Sequence, residues 1–246
     1  MRIGSEPLFP RKVTLLEEIQ KRLAENIERL STMQKINRAA DDAAGLSISE
    51  SLRSQIVEAI QGIRNLQDKI SRIQVADQAL GSQGEIVDRM RELAVQATNA
   101  TLTEEDRRAI EEEFTQLKEE LNKIAQETTF NDQPVISDMT VENLGLSDVR
   151  LGDETALKAL DNAREIISSR RATFGAEEKN LASEIGRLGV ATVNLTAAES
   201  LIRDANVAEE VSSLTINQIL EELNNLVVLN QARTNSTAIL NLLKEI

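Results

Sequence analysis

Leu52-Arg53-Ser54-Gln55-Ile56-Val57-Glu58-Ala59-Ile60-Gln61-Gly62-Ile63-Arg64-Asn65-Leu66-Gln67-Asp68-Lys69-Ile70-Ser71-Arg72-Ile73 is the stretch that decides how this chain folds. Its bulky apolar residues, Leu52, Ile56, Ile60, Ile63, Leu66, Ile70 and Ile73, recur in steps of three and four. Such steps bring a side chain back to one face of an α-helix, whereas a half-buried strand needs steps of two. Nothing nearby stops the helix. Pro7, Pro10 and Pro134 are the only prolines, so the chain between the last two is free of the strongest helix breaker.

Outward from this stretch the same spacing continues. Leu16, Ile19, Leu23, Ile27 and Leu30 form a stripe before it, and Ile110, Phe114, Leu117, Leu121 and Ile124 form one after it. In the C-terminal half, Leu160, Ala163, Ile167, Arg170, Phe174, Glu178, Leu181, Ile185, Leu188, Thr192, Leu195 and Ile202 keep nearly a heptad step. A seam sustained that long predicts a coiled-coil-like helix, interrupted by Arg170, Glu178 and Thr192. A last amphipathic helix carries Ile216, Ile219, Leu220, Leu223, Leu226 and Val227. The exception is residues 128–153, where Asn131-Asp132-Gln133-Pro134 and the glycines Gly145 and Gly152 mix turn formers with β-branched residues. That mixture predicts a small β-hairpin region. The fold class is therefore mainly α, a long antiparallel coiled-coil-like helical rod with a small β-hairpin region, whose terminal helices pair, either within a monomeric bundle or with further lateral packing between subunits.

Composition narrows the chemistry. Hydrophobic residues make up 41% and charged residues 28%, the balance of a folded protein. The chain has no Cys, His, Trp or Tyr. That removes the usual zinc and copper ligand sets, Ser-His-Asp triads and Cys nucleophiles. We therefore expect no catalytic, metal or cofactor site, and no disulfide. A net charge of −13 argues against a nucleic-acid partner and against an anionic membrane surface, since phosphate binding needs local positive charge. No apolar run is long enough to span a bilayer. The start, Met1-Arg2-Ile3-Gly4-Ser5-Glu6, lacks the apolar stretch of a cleaved signal peptide, so an exported chain would use an uncleaved signal.

Four motifs then point to a family. The segment from Leu30 to Leu46, Leu30-Ser31-Thr32-Met33-Gln34-Lys35-Ile36-Asn37-Arg38-Ala39-Ala40-Asp41-Asp42-Ala43-Ala44-Gly45-Leu46, resembles the N-terminal signature of bacterial flagellin. Arg89-Met90-Arg91-Glu92-Leu93-Ala94-Val95-Gln96 is similar to the family's next helix. Thr129-Phe130-Asn131 is similar to the motif before its β-hairpin. Asn194-Leu195-Thr196-Ala197-Ala198-Glu199-Ser200-Leu201-Ile202-Arg203-Asp204 resembles the C-terminal signature. The chain departs from the family pattern at Gly4-Ser5-Glu6, at Met33 where Gly is usual, and in a final helix without Pro.

The resemblance implies an inner helical domain from residues 1–43 and 205–246, and a rod from 44–204 with no variable outer domain. It implies a structural subunit of the flagellar filament, secreted through the flagellar type III apparatus and assembled as a helical homopolymer. The alternative within the superfamily is the hook–filament junction protein, whose start also resembles Met1-Arg2-Ile3. Asp41, Asp42 and Gly45 would join the inner and outer parts. An export chaperone and an assembly regulator would bind the C-terminal helix, at Ile216, Ile219, Leu220, Leu223 and Val227, where inner-tube contacts also fall. Arg89, Leu93 and Glu113 would form one surface patch, used in protofilament contacts or by the vertebrate receptor TLR5. Asp88 replaces a Gln usual in the family and sets a negative charge beside Arg89.

Plainer roles also fit these residues. Neighbours on a helix lie about 100° apart, so Asp41 and Asp42 do not converge on one atom, and capping before Ala43 outweighs catalysis. Gly45 is expected to relieve a bend or permit close packing. Glu104-Glu105-Asp106 and Glu111-Glu112-Glu113 lack the spacing of a calcium loop and read as a solvated helix face. Thr103 and Asp106 have the spacing of a reciprocal cap.

Overall fold

The computed structural model describes residues 8–99 and 101–244. The segment Met1-Arg2-Ile3-Gly4-Ser5-Glu6, and with it the junction-protein likeness, lies outside the described residues. The elements are α1 (Leu8–Thr32), α2 (Ala43–Ala97), α3 (Glu104–Glu127), β1 (Thr129–Phe130), β2 (Gln133–Pro134), α4 (Glu154–Arg203) and α5 (Val207–Lys244). The helices form two compact units, residues 58–191 and residues 1–57 with 192–246.

In the unit 58–191, α2 and α4 run antiparallel. Gln74 donates to Glu178 at 2.8 Å, Arg171 to Asp77 at 2.8 Å and Arg91 to Asp161 at 2.8 Å, so partner numbers fall on α4 as they rise on α2. The seam residues Ile63, Leu66, Ile70, Leu181 and Ile185 are half-buried. Two helices alone leave one side of each seam in water, as expected for an isolated pair. Burial becomes complete where α3 and the segment after it close over the pair. Leu80, Val87, Met90, Leu93, Leu121, Ile136, Leu144, Leu146, Leu160 and Ile167 form one core there. Each fully buried side chain of this size contributes roughly 1.5–3 kcal/mol.

Helix α3 starts with the reciprocal cap its sequence predicts: Thr103 accepts from the Asp106 amide, and Asp106 accepts from the Thr103 amide. The hairpin is smaller than its sequence suggests. Only Thr129↔Pro134 and Phe130↔Gln133 pair, across a two-residue turn with φ of 52° at Asn131 and 59° at Asp132. Positive φ at both central residues matches the twist of the flanking strands, and Asn and Asp tolerate it best after Gly.

Val149-Arg150-Leu151 is not a strand; residues 135–153 are turns, with Gly145 and Gly152 at positive φ. The reason is burial. Ile136, Met139, Val141, Leu144 and Leu146 all enter the helical core, at spacings no single strand face allows. Asn122 Oδ1 accepts from the Val141 amide at 2.9 Å, and Lys118 Nζ donates to the Val149 carbonyl at 2.9 Å. Both side chains fasten this segment to α3.

In the other unit, α1 and α5 pair antiparallel. Gln20 donates to Glu221 at 3.4 Å, Asn217 to Asn26 at 3.2 Å and Arg29 to Glu210 at 3.4 Å. The terminal helices thus pair as expected, and α1 meets α5 through most of its predicted stripe, with Ile19 buried and Leu16, Leu23 and Leu30 half-buried. Asn26 and Asn217 are each only 8% exposed. Asn26 also donates to Glu210 at 2.9 Å. The middle of this seam is a polar cluster, while Ile27, placed in the predicted stripe, is exposed.

Candidate functional site

The first site is the place where α1 and α4 both end, within the unit 1–57 with 192–246. Helix α1 ends because Met33 takes a left-handed conformation, φ 57°. The Met33 carbonyl then accepts from the Ala205 amide at 3.0 Å, and the Lys35 amide donates to the Arg203 carbonyl at 2.6 Å. These bonds flank an antiparallel bridge, Gln34↔Asp204. Two helix breaks distant in sequence therefore satisfy each other's free backbone groups, which must otherwise find partners.

Side chains lock the arrangement. Arg203, 9% exposed, donates from Nε to Gln34 at 3.0 Å and from Nη1 to Glu50 at 2.8 Å. Arg38 forms a forked pair with Glu28, at 2.7 and 2.8 Å, that folds the link back on α1. Asp41 Oδ2 accepts from the amides of Arg38 at 2.9 Å and Asn37 at 3.0 Å. These two backbone donors, Arg38 first, with the nearby charges of Arg29 and Arg38, hold its carboxyl below the ordinary 3.8. Asp42 caps α2: its Oδ1 accepts from the Gly45 amide at 2.9 Å, and its carbonyl from the Leu46 amide at 3.0 Å. Gly45 is set by close approach. A Cβ there would lie 2.5 Å from Asp42 Oδ2 and 2.7 Å from Ile36 Cδ1. Asp41 and Asp42 serve two different backbone segments, so they cap and turn the chain as their adjacency implied.

Sequence reasoning missed Arg203 and Asn26. Arg203 stood inside the C-terminal motif with no role assigned. Asn26 stood in phase with Leu16, Ile19, Leu23 and Leu30, which was the available signal that a polar residue occupies the seam.

The second site is α5. Ile216, Ile219, Leu220, Leu223 and Val227 are between 41% and 58% exposed. Val207, Val211, Leu226, Val228 and Leu229 are exposed too. The face toward α1 is taken by Glu210, Asn217 and Glu221. Helix α5 therefore turns polar residues inward and apolar residues outward, the reverse of a self-sufficient pair.

The third is the predicted surface patch. Arg89 Nη2 meets Glu113 Oε1 at 2.8 Å and Arg89 Nη1 meets Glu92 at 3.0 Å. Leu93 does not join them at the surface; it is 1% exposed, inside the core. A step of four keeps Arg89 and Leu93 on neighbouring parts of the helix, but only Leu93 enters the core. Asp88 pairs with Arg164 of α4, so its charge is spent across the helix pair and not on Arg89 alone.

Among the described residues no group of three or more metal-ligating side chains occurs, and no helix is long and apolar enough to cross a membrane.

Comparison with known proteins identifies the family of the chain. Residues 12–140 match the family model of the bacterial flagellin N-terminal helical region, and residues 157–243 that of the C-terminal helical region. The flagellin of Halalkalibacterium halodurans is 38% identical over 89% of this chain and 90% of its own length. Flagellin FlaB2 of Treponema pallidum is 35% identical over 89% of this chain and 91% of its own. A 30.7 kDa flagellar filament core protein of Treponema maltophilum is 34% identical, with coverage of 89% and 91%. Among solved structures, a Bacillus cereus flagellin matches 51% of this chain and 88% of its own, at 28% identity and a TM-score of 0.45.

Proposed function

Since this chain belongs to the bacterial flagellin family, it is a structural subunit of a flagellar filament, and we propose that it assembles by burying the apolar face that α5 holds in water. The observation that carries this is the inverted face of α5 in its pair with α1. Ten large apolar residues of α5, from Val207 to Leu229, are exposed, while Asn26 and Asn217 occupy the seam. An isolated subunit has nothing to bury these residues; a neighbouring copy supplies it, at roughly 1.5–3 kcal/mol for each residue fully covered. The test is polymerisation of the purified chain, followed by electron microscopy and sedimentation. Leu220→Asp with Leu223→Asp should leave the subunit helical and abolish filaments. Filaments from this variant would refute the role of the face. The matched family regions and relatives are flagellins and filament core proteins, which favours a filament subunit over the hook–filament junction protein.

Finer roles rest on the same family membership. The division by role, 1–43 with 205–246 against 44–204, puts inner-tube contacts on α1 and α5, with Asp41, Asp42 and Gly45 at the junction. Secretion follows the flagellar type III route. The chain is not an enzyme; the absence of His and Cys from the sequence supports this. An export chaperone and an assembly regulator take the outward face of α5 as a helix in a groove. Deleting residues 213–246 should abolish capture by the chaperone, and an undiminished pull-down would refute it. TLR5 recognition uses Arg89 and Glu113, with Leu93 supporting them from beneath. Arg89→Ala should weaken receptor activation by roughly tenfold or more in a reporter-cell assay; a variant as active as the parent leaves only filament packing for this face.

A further inference from the structure

The described residues hold three methionines in contrasting surroundings. Met90 and Met139 are buried at 0% and 4% exposure, whereas Met33 is 56% exposed. The sequence contains no Cys, His, Trp or Tyr, so no thiol, imidazole, indole or phenol competes for an oxidant. Met33 also sits at a structural junction. It terminates α1 at φ 57°, and its carbonyl holds the Ala205 amide at 3.0 Å. Its side chain is one of several exposed apolar side chains of the unit 1–57 with 192–246, among them Leu15, Ile27 and Ile48.

We propose that Met33 is an oxidation site through which a hydroperoxide controls entry of the subunit into the filament. A sulfur lone pair attacks the terminal oxygen of the hydroperoxide. The S–O bond forms as the O–O bond breaks, and sulfur gives up two electrons. The departing oxygen takes the proton of the transferred hydroxyl and leaves as water or an alcohol. The product, methionine sulfoxide, is polar where the thioether was apolar. Met90 and Met139 are shielded by the core and react only when the unit opens. Control of assembly rests on the filament reading: if neighbours cover this surface, the sulfoxide oxygen must shed its water without a partner, which opposes the contact.

The experiment treats the folded chain with hydrogen peroxide and follows each methionine by peptide mass spectrometry. Met33 should oxidise on the order of tenfold faster than Met90 and Met139, with the difference lost in urea. Seeded polymerisation is then measured by light scattering. The oxidised chain and Met33→Gln, which mimics the polar product, should elongate several-fold more slowly than the untreated parent. Met33→Leu should elongate at the parent's rate before and after peroxide. Equal oxidation of the three methionines in the folded chain would overturn the site. Met33→Gln elongating like the parent, or Met33→Leu losing elongation to peroxide as the parent does, would overturn the control of assembly. A parent that never elongates would overturn the filament reading and the control step with it, while the mass spectra decide the oxidation site independently.

Discussion

Met33 holds a conformation that costs a residue with a Cβ about 1–2 kcal/mol, at φ 57°. Glycine takes it freely, which accounts for the Gly usual at this place in flagellins. Met33→Gly trades that strain for the extra entropy glycine loses on folding, about 0.5–1 kcal/mol. We expect a net gain of about 0.5–1 kcal/mol, seen as a higher thermal midpoint; a lower midpoint would mean the Met33 side chain holds more than its backbone loses. Asp41 gives a second test at this scale. Its folded pKa lies below 3.8, chiefly because the Arg38 amide donates to it. A depressed carboxyl adds stability above the unfolded value and loses it as pH falls through the folded value. The Asn37 and Arg38 amide resonances should therefore titrate together with a midpoint below 3.8, and stay fixed in Asp41→Asn. A midpoint at or above 3.8 in the parent would sink this account of the turn.

At the scale of elements, the α1–α5 pair is fixed by a polar cluster and not by a continuous apolar seam. Buried amides hydrogen-bonded to each other specify register, because any slip leaves them unpaired. Asn217→Leu alone strands the Asn26 oxygen and should cost about 1–3 kcal/mol. Asn26→Leu together with Asn217→Leu should recover most of that loss and blur the register. The absence of native cysteine makes the check direct: cysteines placed at Gln20 and Glu221 report the native alignment. In the parent they should cross-link as one species, and in the double leucine variant compete with cysteines placed one turn away. A double variant that keeps a single cross-link would show that register is set elsewhere, for example by Gln34↔Asp204.

For the whole molecule the governing quantity is charge. Each subunit carries −13, and packing copies side by side brings like charges together. Counterions screen that repulsion over about 10 Å at 0.1 M salt. The apolar contacts of α5 are little affected at such concentrations. Polymerisation at neutral pH should therefore quicken as ionic strength rises. A rate by light scattering that is flat across salt would place the acidic residues away from the contacts. A rate that falls would show that ion pairs between copies dominate.

The sequence by itself determined which segments are helical, because steps of three and four between apolar residues depend only on the geometry of one helix. It also determined the Thr103 cap, the capping role of Asp42 and the turn at Asn131-Asp132, all of which are interactions within a few residues. The hairpin was legible in its turn but not in its extent. Residues 135–153 obey the demand of the helical core for Ile136, Met139, Val141, Leu144 and Leu146, and that demand comes from α2, α3 and α4. Tertiary structure alone decided which face of each helix meets its neighbour. Periodicity locates an apolar stripe but not the surface that covers it. So Leu93 went into the core, while Ile216, Ile219, Leu220, Leu223 and Val227 stayed in water. It also decided the pairing of Gln34 with Asp204 and the burial of Arg203. These join residues far apart in the chain, and only the folded backbone brings their free hydrogen-bonding groups within reach.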